Sequence, residues 1–350
     1  MKICDLATPA LLLDLDVMAS NLFRMADFFR DRPVRVRPHF KNHQVVVLAT
    51  AQVEAGAIGI TCARLSHAEA LVKAGIQSVL IARELAGESM IRRFVELSET
   101  APVMVVVDNP KVISDLARIA GARAHQMNVV VDVDIRLKRC GVPPGEAAFS
   151  LAQAVVEKGL TFRGLMGYEG HVPLPRGPEK WNIVASALQG LIDSKAMIEA
   201  AGIPVEIVSC GGTSDYRAAA AVRGVTEIQP GSYLLMDTWY LSFAPEFARA
   251  LTLLTTVISK TPGERIVLDA GVKVMSRDRG LPEIKGITGL CIKAMHAEHG
   301  IAEILDPGVG VHVGDKIELW VQYHDGTIAL HDRMYGIRGG TVEKVLRIER

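Results

Sequence analysis

The sequence predicts an α/β fold: a series of parallel βα units, closed into a barrel or laid out as a doubly wound sheet, followed by a smaller antiparallel β domain. Three observations carry this. Over the first two-thirds of the 350 residues, short apolar runs alternate with amphipathic helical stretches, the pattern of a parallel sheet covered by helices. Those runs, such as Val103–Asp108 and Asn128–Asp134, are almost continuously apolar, as expected of strands buried on both faces. After about residue 240 the helical patterns give way to strand patterns separated by Gly, Asp and Pro. No GxGxxG follows the first strand, which argues against a dinucleotide-binding sheet.

Strands are expected at Ala10–Asp16, Val34–His39, Ala57–Ala63, Ser78–Arg83, Val103–Asp108, Asn128–Asp134, Phe162–Glu169, Val205–Cys210 and Val225–Pro230. Helical periodicity lies between them, at Val17–Arg30, Gln44–Ala55, Ser66–Ala74, Ser89–Leu97, Val112–Ile119, Gly145–Glu157, Trp181–Ala200 and Ser214–Val222. Gly75, Gly121, Gly159 and Gly202 stand where helices end in a left-handed residue. Ser66 and Glu69 have the spacing of a capping box. Further strands are expected at Ala250–Lys260, Arg265–Val274, Gly289–His296, Ile301–Leu305, Lys316–Gln322, Thr327–Leu330 and Thr341–Ile348. The change of pattern near Asp237–Ala244 divides the chain into residues 9–240 and 241–350, with residues 1–8 as candidates to join the second part.

Charge excludes some functions. Lys plus Arg and Asp plus Glu both number 39, and no basic face or charged tail stands out, so nucleic acid and anionic membrane are not expected partners. No apolar run approaches the ~20 residues of a membrane span. The N-terminus lacks a signal-peptide pattern. The five scattered cysteines include no CxxC pair, which suits reduced thiols in a cytoplasmic protein.

Lys41 lies in Arg35-Val36-Arg37-Pro38-His39-Phe40-Lys41-Asn42-His43, just after a strand. The carboxyl ends of barrel strands are where such folds build active sites. An amine there forms a Schiff base with a carbonyl if its pKa is lowered; a solvated basic loop reads the same. Ser209-Cys210-Gly211-Gly212-Thr213-Ser214 joins a strand to a helix, and its glycines and N–H groups suit phosphate; a tight turn with an N-cap has the same letters. Ser232 and Tyr233, after Gln229-Pro230-Gly231, offer hydroxyls to the same anion or mark a plain turn. Tyr168 and His171 end another strand, where they suit orienting or deprotonating a substrate hydroxyl; a capped strand end with a structural histidine reads the same. Asp134 through Gly141 bring cations, Arg139 among them, to the same rim. His324-Asp325-Gly326 suits a divalent metal, but adjacent side chains diverge in an extended strand, and Asp-Gly is an ordinary hairpin turn, so the hairpin is the favoured reading. His39 and His43 are not expected to share a zinc, because Pro38 breaks the helix they would need. His296 and His299 are expected in an exposed turn.

Seven ordered segments resemble one family: Thr8–Asp14, Arg37–His43, Asp134–Gly141, Gly164–His171, Ser209–Thr213, Gln229–Tyr233 and Asp269-Ala270-Gly271. They look like the D-threonine aldolase / D-serine dehydratase family of alanine-racemase-like (fold-type III) pyridoxal-phosphate enzymes. The resemblance covers nearly the whole chain and implies a TIM-like (β/α)8 barrel, a C-terminal β domain and a homodimer with active sites at the subunit interface. By position, Lys41 matches the lysine that carries pyridoxal 5′-phosphate, and Arg139 the arginine beside its ring. Tyr168 and His171 match the Tyr-x-Gly-His element. Gly211, Gly212 and Thr213 match the phosphate loop, joined by Ser232 and Tyr233. His324 matches the metal-binding histidine, with Asp325 the candidate second ligand for Mn, Mg or Zn. The family's lysine segment usually reads Pro-His-Ala-Lys-Thr-His; here Phe40 and Asn42 flank the lysine, and the segment from His324 to His331-Asp332 is one residue short. The implied reaction is cleavage of D-3-hydroxy amino acids to glycine and an aldehyde. The alternatives are dehydration, or racemisation if the metal site is absent.

Overall fold

The computed structural model describes residues 1–172 and 179–350. Eight parallel strands form one sheet: Arg35–Val36, Ile60–Cys62, Val79–Ile81, Met104–Val107, Asn128–Asp132, Thr161–Met166, Ile207–Cys210 and Glu227–Ile228. Arg35–Val36 pairs with Glu227–Ile228 at one end of the hydrogen-bonded order. At the other end the Ile58 N–H donates to the Val36 carbonyl (3.0 Å), and the Thr61 N–H to that of Pro38 (2.8 Å). His39 and Thr61 also form a parallel bridge. These bonds close the sheet into a barrel, one of the two expected arrangements. Strands such as Met104–Val107 are buried at every position. Leu80, Met104, Val106, Val130, Met166 and Ile207 form one apolar cluster, the filled interior such barrels have.

Helices follow the strands, among them Leu65–Lys73, Glu88–Ser98, Pro110–Ala120 and Glu146–Glu157. Gly75, Gly121, Gly159 and Gly202 all have positive φ, as expected of helix-ending glycines. The capping box does not form. The helix starts at Leu65 behind Arg64 with no side-chain cap, and Glu69 pairs with Arg93 at 2.8 Å. A competing ion pair takes the carboxylate.

The second sheet has nine strands. Its strands include Ala10–Asp14, Leu251–Thr261, Arg265–Leu268, Leu290–Met295, Gly300–Ile304, Lys316–Trp320, Arg333–Arg338 and Thr341–Arg347. Ala10–Asp14 runs antiparallel to Leu251–Thr261 and parallel to Arg333–Arg338, so this sheet is mixed rather than purely antiparallel. Leu12 and Leu254 meet in its apolar cluster with Leu6, Ala10 and Ile337. The first strand therefore belongs to this sheet, although its place in the sequence put it first in the barrel series. The compact units divide accordingly: residues 1–25, 42–47 and 232–350 form one, and residues 26–41 and 48–231 the other. Pairing partners rather than chain order place Ala10–Asp14 with residues 232–350. No described helix is long and apolar enough to cross a membrane, and all five cysteines are free.

Candidate functional site

In the barrel unit, Lys41 lies on a 3-10 turn, Phe40–Asn42, just past the strand Arg35–Val36. The residue is half-buried. Its N–H donates to His39 Nδ1 at 3.3 Å. His43 Nδ1 likewise accepts the Val45 N–H at 3.1 Å, so each histidine serves its local turn. Arg37 of the same segment makes a two-pronged bond to Glu227, Nε to Oε1 at 2.9 Å and Nη2 to Oε2 at 3.0 Å. Both partners are buried, and Arg37 Nη1 also donates to Ser78 Oγ at 2.8 Å. One basic residue of the segment thus ties three barrel strand ends together.

Arg139 and Tyr168 come together, with the guanidinium carbon 5.7 Å from the ring centroid, within cation–π range. Tyr168 borders the glycine turn. A Cβ on Gly212 would stand 3.7 Å from Tyr168 Cε2 and 3.9 Å from its hydroxyl, so the glycine leaves open a space that any other residue would fill. Two N–H groups of that turn are already engaged: Gly211 donates to Glu169 Oε2 (3.1 Å) and Gly212 to Asp215 Oδ1 (2.7 Å). Glu169 and Asp215 are buried. Burial, then the neighbouring Asp215 charge, pushes the Glu169 carboxyl well up; burial also raises Asp215. Thr213 is buried beside them. His171 is exposed at the end of its segment.

Acids past the barrel strand ends went unnoticed in the sequence. Glu84, Asp108 and Cys140 bring one polar atom each within 4.8 Å of one another, and the Gly141 N–H donates to Asp108 Oδ2 at 3.2 Å. Asp132, beside Glu84, has its pKa pushed up to about 8, by burial first and then by the Glu84 hydrogen bond and charge; the Arg139 charge opposes the shift. The available signal was position, since each acid closely follows or ends an apolar strand.

In the other unit, the expected hairpin at Asp325-Gly326 and the strand Thr327–Leu330 do not form. His324–Ile328 is a short helix. A helical backbone turns consecutive side chains by about 100° rather than to opposite faces, and His324 Nε2 comes within 3.2 Å of Asp325 Oδ1. Gly326 permits this: a Cβ there would lie 2.5 Å from Ser276 Oγ and 2.7 Å from Ser276 Cβ. Asp237 Oδ2 accepts from the His324 backbone N–H (2.9 Å) and faces Nδ1 at 2.5 Å. Its Oδ1 accepts the Tyr240 N–H at 2.7 Å. Burial opposes charge on His324, but Asp237 and then Asp325 outweigh it and raise its pKa to about 10. The pocket favours one positive charge, whether a proton or a metal cation.

Ser232 is buried on a 3-10 turn, Ser232–Leu234, and its Oγ accepts from Asn42 Nδ2 at 3.3 Å. The Tyr233 ring is buried against Phe247, 5.8 Å between centroids. Asn42 and Asp237 are the residues of this cluster that sequence reasoning passed over. Only their positions, after Lys41 and after the barrel series, hinted at them.

The chain matches the family described as alanine racemase, N-terminal domain, over residues 13–238, and the putative serine dehydratase domain over residues 250–337. It is 33% identical to a D-threonine aldolase of Arthrobacter sp. over 97% of this chain and 92% of that one. It is 33% identical to a 3-hydroxy-D-aspartate aldolase of Paracoccus denitrificans (strain Pd 1222), over 97% and 91%. The crystal structure of D-threonine aldolase from Filomicrobium marinum superposes with a TM-score of 0.95 at 34% identity, covering 100% of this chain and 96% of that one. With both family models in order along one chain and relatives a third identical over nearly its full length, the chain belongs to the D-threonine aldolase / D-serine dehydratase family of alanine-racemase-like proteins.

Proposed function

We propose that this protein is a pyridoxal-phosphate-dependent aldolase that cleaves D-3-hydroxy amino acids to glycine and an aldehyde, assisted by a divalent metal. The observation that carries the cofactor reading is Tyr168, which has the Arg139 guanidinium carbon 5.7 Å from its ring centroid and stands 3.7 Å from where a Gly212 Cβ would lie. A strand-end lysine, a cation over an aromatic ring and a glycine-lined gap form a set that fits a flat anionic cofactor. The names of the relatives favour aldol cleavage.

Bound pyridoxal phosphate supplies an electron sink for the pair released at Cα. Lys41 would hold it through the amine. Arg139 and Tyr168 would fix its ring. Gly211, Gly212 and Thr213 would hold its phosphate, the two glycine N–H groups turning to it from the Glu169 and Asp215 carboxylates that accept them here, with Ser232 and Tyr233 the next candidates. His171 would take the proton of the β-hydroxyl as the Cα–Cβ bond breaks and the aldehyde leaves. A proton returned to Cα then completes glycine. His324 and Asp325 would hold the metal, whose part is to polarise the β-oxygen. The donor chemistry fits: an imidazole and a carboxylate 3.2 Å apart, with Asp237 orienting the imidazole from behind. We also propose that the protein works as a homodimer in the cytoplasm, as the family resemblance implies.

Incubation with D-threonine, D-phenylserine, D-3-hydroxyaspartate and D-serine, followed by product analysis, tests the reaction. Glycine plus the matching aldehyde is expected. A 2-oxo acid and ammonia without glycine would replace the reading with dehydration, which the serine dehydratase domain match makes the second choice.

A further inference from the structure

We propose that the side-chain amide of Asn42 is a third protein ligand of the divalent cation held by His324 and Asp325, an inference that rests on the metal reading above. Asn42 is 2% exposed. Its Nδ2 lies 3.0 Å from His324 Nε2, 2.5 Å from Asp325 Oδ1 and 3.3 Å from Ser232 Oγ. An amide nitrogen carries two protons, and in the neutral imidazole, with the Nδ1 proton turned to Asp237, Nε2 is a third acceptor beside the carboxylate and the hydroxyl. The amide, imidazole and carboxylate atoms of Asn42, His324 and Asp325 lie 2.5–3.2 Å from one another and frame a cation position between them.

The partners behind these atoms hold the convergence in place. Asp237 fixes the imidazole through Nδ1 and through the His324 backbone N–H, leaving Nε2 aimed at Asn42. The Tyr323 hydroxyl reaches the other Asp325 oxygen at 3.4 Å. The Tyr240 hydroxyl is bonded to Ser232. The amide can adapt where its neighbours cannot. Half a turn about its last side-chain bond exchanges Nδ2 for Oδ1 at nearly the same point, an exchange that leaves the shape of the group unchanged. Asn42 would then present its carbonyl oxygen, giving a donor set of imidazole nitrogen, carboxylate oxygen and amide oxygen. Amide carbonyls are ordinary ligands of hard divalent cations, and such mixed sets suit Mn, Mg and Zn. Asn42 also follows Lys41 in the chain.

The test is Mn2+ binding to the cofactor-loaded enzyme, read by the electron paramagnetic resonance signal of free Mn2+. Wild type, Asn42→Ala, Asn42→Asp and His324→Ala are compared, with circular dichroism confirming each fold. The wild type should bind one Mn2+ per protomer. Asn42→Ala should weaken binding at least tenfold, and Asn42→Asp, which keeps an oxygen in place, should bind as tightly as wild type or more so. If Asn42→Ala fails to fold, the proposal stands on Asn42→Asp alone, and a tenfold loss there overturns it. Wild-type affinity in Asn42→Ala alongside lost binding in His324→Ala would overturn the role of Asn42 and leave the metal reading intact. Absence of binding by the wild type would overturn both.

Discussion

Asp237 Oδ2 lies 2.5 Å from His324 Nδ1 and accepts the His324 backbone N–H as well, at 2.9 Å, with both residues fully buried. A carboxylate behind an imidazole sets its tautomer and aims the other nitrogen, and removing such a partner typically costs ten- to a hundredfold in metal affinity or activity. Asp237→Asn should therefore shift the Mn2+ activation curve by about that factor at saturating substrate. An unchanged curve would mean that Asp237 acts only as the cap of the short helix after it.

Gly326 should be intolerant for a local steric reason. The Cβ of Gly326→Ala would collide with Ser276 and push the His324–Ile328 helix away. Loss of Mn2+ binding and a lower Tm are expected together. Gly326→Ala combined with Ser276→Gly, which removes the obstructing atoms, should restore much of both. If the double variant behaves like the single one, the collision is not the cause.

Arg37 is predicted to be structural. Breaking a buried ion pair by removing one partner costs about 3–5 kcal/mol, because a charge is left buried and unpaired. Arg37→Ala should lower thermal stability by that order, and Arg37→Ala with Glu227→Ala should lose less than the sum of the two single changes. Full additivity in such a double-mutant cycle would show that the pair is not coupled.

Asp132 gives a pH dependence with a definite sign. Its folded pKa is raised to about 8, chiefly by burial, whereas the unfolded value is near 4. Between those limits the folded chain holds a proton that the unfolded chain has released, so stability falls as pH rises through this window. Asp132→Asn should flatten the fall and stabilise the protein near pH 8 by roughly 1–3 kcal/mol. Parallel Tm-versus-pH curves for wild type and variant would refute the shift.

The barrel was legible because strands buried on both faces leave a continuous apolar signature, and helix-ending glycines punctuate it. The place of Ala10–Asp14 was not, since its composition matches a barrel strand and only long-range pairing with Leu251–Thr261 and Arg333–Arg338 sets its sheet. Lys41, Arg139, Tyr168 and the Gly211–Thr213 turn were singled out from strand-end position and motif. The structure adds the contacts among them, Arg139 on Tyr168 and Tyr168 against Gly212. The His324 pocket was misjudged because Asp-Gly favours a turn locally, while burial of His324 against Asp237 favours a helix. Local propensity lost to a tertiary contact. Asp237 and Asn42 lie far from His324 in sequence, and no spacing rule could bring them to it.

The central claim is aldol cleavage dependent on Lys41. Incubation of purified enzyme, cofactor and Mn2+ with D-threonine tests it most directly, with glycine and acetaldehyde measured for the wild type and for Lys41→Ala. Equal amounts of the two products from the wild type are predicted, and none above background from the folded variant. A 2-oxo acid in place of glycine, or undiminished cleavage by Lys41→Ala, would contradict the account.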